Sequence, residues 1–353
     1  MIVYLINIAL IIFWRMTITE KRFANPKKLY CGIVAFQWIL VSGLRGWDIG
    51  ADTYTYYEWF ERVKNIPWNE AFRNVTDYLF NGLDIKDPGY ELLMKIFQIF
   101  SGDYQLFLIG IAALFMSLMA RFVYKYSASP CTSFIIFSTL FYSFYAVTGH
   151  RQTIATALIV FLGYDFIRER KLWKFAIVAF IAYLIHKSSL VFVPIYFLTM
   201  LPVTTIYKCI LAGAIAAISI LGKQLYAPIA EGLGFESGVI DYTGGGAGTF
   251  AMLLMILSAV TWLFYPQIKK HREDAAKLFH INALALLSAC LVIQNQSFMR
   301  IQQYYSLFIM LTIPELINLV KREQRILIYF LFGAVMIAYL VGNDPEYVFF
   351  FMD

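Results

Sequence analysis

The chain has 353 residues, of which 60% are hydrophobic and 15% charged, with a mean hydropathy of +0.65. A soluble globular domain carries roughly 25% charged residues, so a soluble class is excluded and a polytopic α-helical membrane protein is expected. The net charge of +6 needs no nucleic acid to explain it, because cytoplasmic loops of membrane proteins collect Lys and Arg.

The hydropathy pattern predicts about twelve spans, near 2–18, 28–44, 104–124, 131–147, 152–168, 172–186, 188–201, 206–222, 247–265, 278–295, 301–320 and 326–342. Residues 2–14 lack a charged start and a small-residue cleavage site, so they read as a first span and not as a removed signal. Several stretches, notably 172–186 and 188–201, fall short of the ~20 residues of an average span. Tilted, kinked or half-membrane elements are expected there. Cys31, Cys131, Cys209 and Cys290 all fall in or beside apolar runs and show neither a disulfide framework nor a metal spacing.

Nineteen of the 29 Lys and Arg fall in one set of loops, around 15–28, 121–125, 168–174, 208, 269–277 and 321–325. The positive-inside rule puts that set in the cytoplasm and both termini outside, as an even number of spans requires. Two segments then form soluble pieces on the outer side. Residues 45–103 are rich in aromatic and acidic residues and include a short amphipathic helix over 88–101. Residues 223–246 end in Thr243-Gly244-Gly245-Gly246. That run lacks the lysine and the preceding strand of a P-loop and reads as a flexible lid or hinge. The whole chain, 1–353, is expected to form a single integral membrane domain that carries these two loops.

Five outward clusters carry candidate chemistry. Leu44 to Tyr54 holds Arg45, Asp48 and Asp52, with Gly46 and Gly50 for tight turning. Asp87-Pro88-Gly89-Tyr90-Glu91 opens the short surface helix through a Pro-Gly turn. His150-Arg151-Gln152 stands at the mouth of the fifth span. His186-Lys187-Ser188-Ser189 joins the sixth and seventh. Arg300, with Gln302, Gln303 and Tyr304, starts the eleventh.

Arginines at span ends usually anchor a helix by snorkelling, but such anchors belong mainly to the cytoplasmic side. Guanidinium forks on the outer side suit a phosphate or diphosphate. A nearby carboxylate or neutral His can take a proton from an attacking hydroxyl. The aromatic residues over 47–68 fit either an interfacial belt or stacking platforms for sugar rings. No HxH or HExxH spacing occurs, and His271 and His280 fall on the other side, so no metal site and no cofactor are expected.

These motifs, in this order, resemble the EpsG family of Wzy-like bacterial exopolysaccharide and capsule repeat-unit polymerases. They are Arg45 with Gly50-Ala51-Asp52-Thr53 and Tyr57; Asp87-Pro88-Gly89-Tyr90; Arg151-Gln152 with Ala155; Ile185-His186-Lys187-Ser188-Ser189 with Pro194; and Arg300 with Tyr304. The resemblance implies a GT-C-like, all-helical glycosyltransferase that joins undecaprenyl-diphosphate-linked oligosaccharides on the outer face of the bacterial cytoplasmic membrane. A flippase and a chain-length regulator of the same pathway are implied partners, beside membrane lipids. Arg151 and Arg300, supported by Arg45, would hold the diphosphate. Asp52 or His186 would be the base. Asp48, Tyr57, Asp87, Tyr90, Glu91, His150, Gln152, Lys187 and Tyr304 would complete substrate binding. A glycan ligase of the same mechanism, a lipid-linked sugar transporter and a membrane O-acyltransferase are the alternatives.

Overall fold

The computed structural model describes residues 1–20, 22–50, 52–232 and 247–352. The regular secondary structure of the described residues is helical, apart from one isolated antiparallel bridge between Arg45 and Phe349. They fall into two compact units, Met1–Leu190 with Phe330–Asp353, and Val191–Tyr329.

The first unit begins with α1 (Ile2–Thr17) and α2 (Pro26–Gly43). Asn25 caps α2 by accepting from the Lys28 amide at 3.0 Å, and Pro26 supplies the fixed φ of a first helical position. Three helices then cover most of the 45–103 segment: α3 (Thr53–Lys64), α4 (Trp68–Phe80) and α5 (Pro88–Phe97). The amphipathic helix expected over 88–101 is α5, and the two before it fill the rest of the segment.

Asp103 caps α6 (Tyr104–Tyr126) through the Gln105 amide at 2.7 Å. Helix α6 packs along α2. A Cβ on Gly43 would stand 2.9 Å from the Ile109 side chain, so the absence of a side chain sets this close approach. Trp38, fully buried, donates from Nε1 to the Ser138 hydroxyl at 3.2 Å.

Three π-helical stretches interrupt the next two helical segments. Phe137–Phe141 and Ser143–Thr148 follow α7 (Pro130–Ile136), and Ala157–Leu162 lies between α8 (His150–Thr156) and α9 (Gly163–Arg168). Such wide turns recur at functional sites. The unit continues with α10 (Leu172–Ile185).

The expected 188–201 span is a 3-10 stretch, Lys187–Phe192, which begins in the first unit, followed by the five-residue α11 (Pro194–Leu198) of the second. Helix α12 (Thr205–Gly232) extends into the segment expected to be a loop from residue 223. Residues 233–246, including the proposed Gly-rich lid, lie outside the described residues. Leu211, Tyr265, Ile268, Ala275, Phe279 and Ala283 form a core in this unit. Arg272 ties Asp274 at 2.5 Å to Glu315 at 2.6 Å.

The helices fall close to the expected spans, without establishing a count of twelve crossings. Among the described residues four helices have the length and composition to cross a membrane: Tyr104–Tyr126, Thr205–Gly222, Ala275–Ile293 and Arg322–Gly342. The other apolar helices are shorter, partly because the π turns and Pro194 divide continuous hydrophobic runs.

Candidate active site

The site in the first unit is built where α5 begins against the end of α10. Asp87 precedes α5 with a left-handed backbone (φ 47°), and Pro88 starts the helix. Gly89 has no room for a side chain: a Cβ there would stand 2.6 Å from the Leu184 carbonyl carbon. The Asp-Pro-Gly sequence therefore docks a helix start directly on the α10 backbone. This docking buries the Asp87 carboxylate and aims it at residues 186 and 187.

Asp87 Oδ2 accepts from Arg151 Nη1 and lies 3.1 Å from His186 Nδ1, while Oδ1 receives the Lys187 amide at 3.4 Å. Burial would raise the pKa of this carboxyl. The hydrogen bond and charge of His186, followed by the charge of Arg151, outweigh burial and hold it below its ordinary value. An ionised carboxylate only accepts, so Nδ1 of His186 carries the hydrogen. In the neutral form of the ring the lone pair would then lie on Nε2. This is the arrangement by which a carboxylate orients a general base.

Arg151 is held in three ways. It pairs with Asp87, its Nε donates to the Tyr56 hydroxyl at 3.4 Å, and its guanidinium stands 5.5 Å from the ring centres of both Tyr56 and Trp59. Its Nη2 makes no protein hydrogen bond among the described residues, and the side chain is 17% exposed. One edge of the fork is left for an external oxyanion.

Arg45 sits deeper. It donates to the carbonyls of Ser42 and Val147 (the latter at 2.8 Å) and to His150 Nε2 at 2.9 Å. Because Nε2 accepts, His150 Nδ1 bears the hydrogen and faces the Tyr104 hydroxyl at 3.5 Å. Burial, then the Arg45 charge, push the His150 pKa well down, so the ring is neutral. It stacks on Tyr56 with ring centres 4.4 Å apart. Arg45 and His150 thus form a buried layer beneath Tyr56 and Arg151, with the Arg45 guanidinium already engaged by backbone carbonyls.

Glu91 accepts from Asn74 at 2.8 Å and from Trp59 Nε1 at 3.4 Å, joining α5 to α4 and α3. Tyr90 is fully buried among Tyr56, Trp59 and Phe107, and its hydroxyl has no hydrogen-bond partner among the described residues. Tyr57 is half-buried against Trp47 and Tyr104. Gln152 is buried, and the Lys187 side chain is exposed.

Asp52 and Asp48 are exposed. Asp52 begins α3 with φ 65° and makes no side-chain capping bond. Asp48 lines an open cleft of about 480 Å³ with Tyr4, Tyr142, Asn343, Asp344 and Glu346. Arg300, exposed, and Tyr304, buried, lie on the helix Met299–Ser306 of the second unit.

Two contributors were read from sequence only as part of the aromatic stretch over 47–68. Tyr56 and Trp59 hold Arg151 between helix and site. Their three-residue spacing puts them on one face of α3, and that periodicity was the available signal.

The chain is similar to the family model described as EpsG family over residues 28–348. No curated protein and no solved structure matches it.

Proposed function

The chain belongs to the EpsG family, and on that premise we propose that it is a polysaccharide polymerase acting on undecaprenyl-diphosphate-linked oligosaccharides at the outer face of the bacterial cytoplasmic membrane. The observation that carries this reading is the bridging of Arg151 and His186 by Asp87. A base and an oxyanion-binding fork are fixed to one carboxylate, the pairing that glycosyl transfer from a lipid diphosphate needs.

In the proposed reaction a hydroxyl of a newly delivered repeat attacks the anomeric carbon of the growing lipid-linked chain. His186 Nε2 takes the hydroxyl proton as the new glycosidic C–O bond forms. The bond between the anomeric carbon and the diphosphate breaks, and the lipid diphosphate leaves with the bonding electron pair. The free edge of Arg151 meets the charge that develops on it. A single displacement inverts the anomeric centre.

Of the two candidate bases, this reading takes His186, with Asp87 as its orienting carboxylate. Asp52 is solvated and without an orienting partner of this kind. Arg45 and His150 support Arg151 through Tyr56. The role of Arg300 as a diphosphate contact rests on the family resemblance alone.

The test is incubation of purified protein in lipid nanodiscs with a synthetic lipid-diphosphate oligosaccharide. A ladder of products spaced by one repeat is expected. A single transfer to an unrelated acceptor would indicate a ligase, and no transfer with intact donor binding would defeat the reading.

A further inference from the structure

Helix α4 carries an apolar stripe that the described residues of its own unit leave partly exposed. Trp68, Phe72, Val75 and Leu79 follow the i, i+4, i+7, i+11 spacing of one helix face. Trp68 is 39% and Phe72 54% exposed, Val75 and Leu79 are partly exposed, and Phe80 beyond them is 80% exposed. The neighbouring face is the packed one: Ala71 is buried, Asn74 bonds Glu91 at 2.8 Å, and Tyr78 lies on Tyr183 with ring centres 5.6 Å apart. Glu70 and Asp77 point away from the stripe at helical spacing.

Three observations identify what covers the stripe. The helix has 13 residues, about 20 Å at 1.5 Å per residue, too short to cross a hydrocarbon core of about 30 Å. Its contact residue Tyr183 stands two positions before the end of α10, whose Ile177, Phe180 and Ile181 are exposed apolar residues of a membrane protein. The stripe therefore continues a lipid-facing surface at the level where α10 ends. Finally, Lys95 Nζ stands 5.8 Å from the Trp68 ring, so indole and ammonium lie together, the pair that settles at a headgroup layer.

From this we infer that α4 lies flat in the membrane interface, with the Trp68–Leu79 stripe among the lipid chains of the leaflet next to the site. Through Asn74–Glu91 and Tyr78–Tyr183 this helix fixes the depth of α5 and α10, and so of Asp87 and His186. A substrate whose diphosphate lies at the headgroup level would meet Arg151 without leaving the bilayer. The inference rests on the chain's membrane character and not on the reaction it catalyses.

The test places nitroxide spin labels singly at Phe72→Cys, Leu79→Cys, Glu70→Cys and Asp77→Cys, with the four native cysteines replaced, in phosphatidylglycerol-containing nanodiscs. The expected result is preferential relaxation by membrane-dissolved oxygen at Phe72 and Leu79, and by a water-soluble nickel chelate at Glu70 and Asp77. The ratio of the two accessibilities should differ at least severalfold between the faces. Equal access of the nickel chelate to all four positions would overturn the inference. So would labels at 72 and 79 shielded from both reagents, since protein would then cover the stripe. Variants that fail to fold are replaced by Val75→Cys and Thr76→Cys, which sample the stripe and its flank.

Discussion

Two carboxylates of the first unit, Asp87 and Asp165, each gather two basic side chains, and they belong to opposite ends of α6. Asp165 takes Arg121, Lys125 at 3.3 Å and the Tyr126 hydroxyl, all from the last two turns of that helix. The site at the other end touches its first residue, Tyr104, through His150. About 33 Å of helix separates the two ends. Both carboxylates are buried, but their partners differ. Arg121 and Lys125 are 40% and 36% exposed, whereas Arg151 and His186 are 17% and 13% exposed. Water screens the cations around Asp165, which leaves a weak anchoring cluster. Around Asp87 the two basic side chains are largely desolvated, and Arg151 stands over two aromatic rings. Composition alone does not separate the two clusters; the covering by α3 and α5 does.

The sharpest way to break this contrast is at the base. His186→Gln keeps a hydrogen-bonding side chain but cannot take a proton. Chain extension should fall about 10²–10⁴-fold in the ladder assay, while donor binding stays measurable. Activity within a few-fold of wild type would remove His186 from the role.

Gly89→Ala tests how the site is assembled. Its Cβ would meet the Leu184 backbone at 2.6 Å, so α5 must shift and carry Asp87 away from His186. Overpacking of this kind costs about 1–3 kcal/mol, and extension should drop at least tenfold. An unchanged melting temperature and unchanged activity together would show that α10 yields without cost.

Arg151→Lys preserves charge and loses the fork. Charge-assisted hydrogen bonds contribute about 1.5–3 kcal/mol, so a roughly tenfold to hundredfold loss in extension rate is expected. The equivalent change on the Asp165 side, Arg121→Lys, should alter neither rate nor melting temperature measurably, since exposed pairs are worth about 0–1 kcal/mol.

The Asp87 cluster should also respond to acid. The Asp87 pKa is depressed in the folded state, so its contribution to stability is present above the unfolded carboxyl pKa, near 4, and is lost as pH falls through the lower folded value. Asp87→Asn should therefore be less stable than wild type at neutral pH, with the gap narrowing below about pH 4 in thermal melts. A constant gap would show that His186 and Arg151 do not stabilise the ionised form.

The smallest effect is expected at Asp52. Its exposure makes Asp52→Asn a surface change, within about 0.5 kcal/mol in stability and about twofold in rate. A loss comparable with that of His186→Gln would restore Asp52 as the base.

The sequence by itself determined the class and the approximate places of the helices, because apolar runs must bury their backbone hydrogen bonds in helices wherever they meet lipid. It also picked out Asp87, Arg151 and His186 as candidates, since polar residues stand out beside apolar spans. Their ranking was decided only by the tertiary structure. Asp52 and Asp87 both precede a helix with a left-handed backbone, and nothing local tells them apart. Asp87 became the buried one because Gly89 lets α5 sit on the end of α10, a contact between residues nearly a hundred positions apart. Likewise Arg45 and Arg151 both follow an apolar run, but the folded chain surrounds one with carbonyls and leaves the other an open edge. Hydropathy reads the solvent each segment must meet. Which polar groups lose that solvent together depends on the packing of distant segments, and that was fixed only in the folded chain.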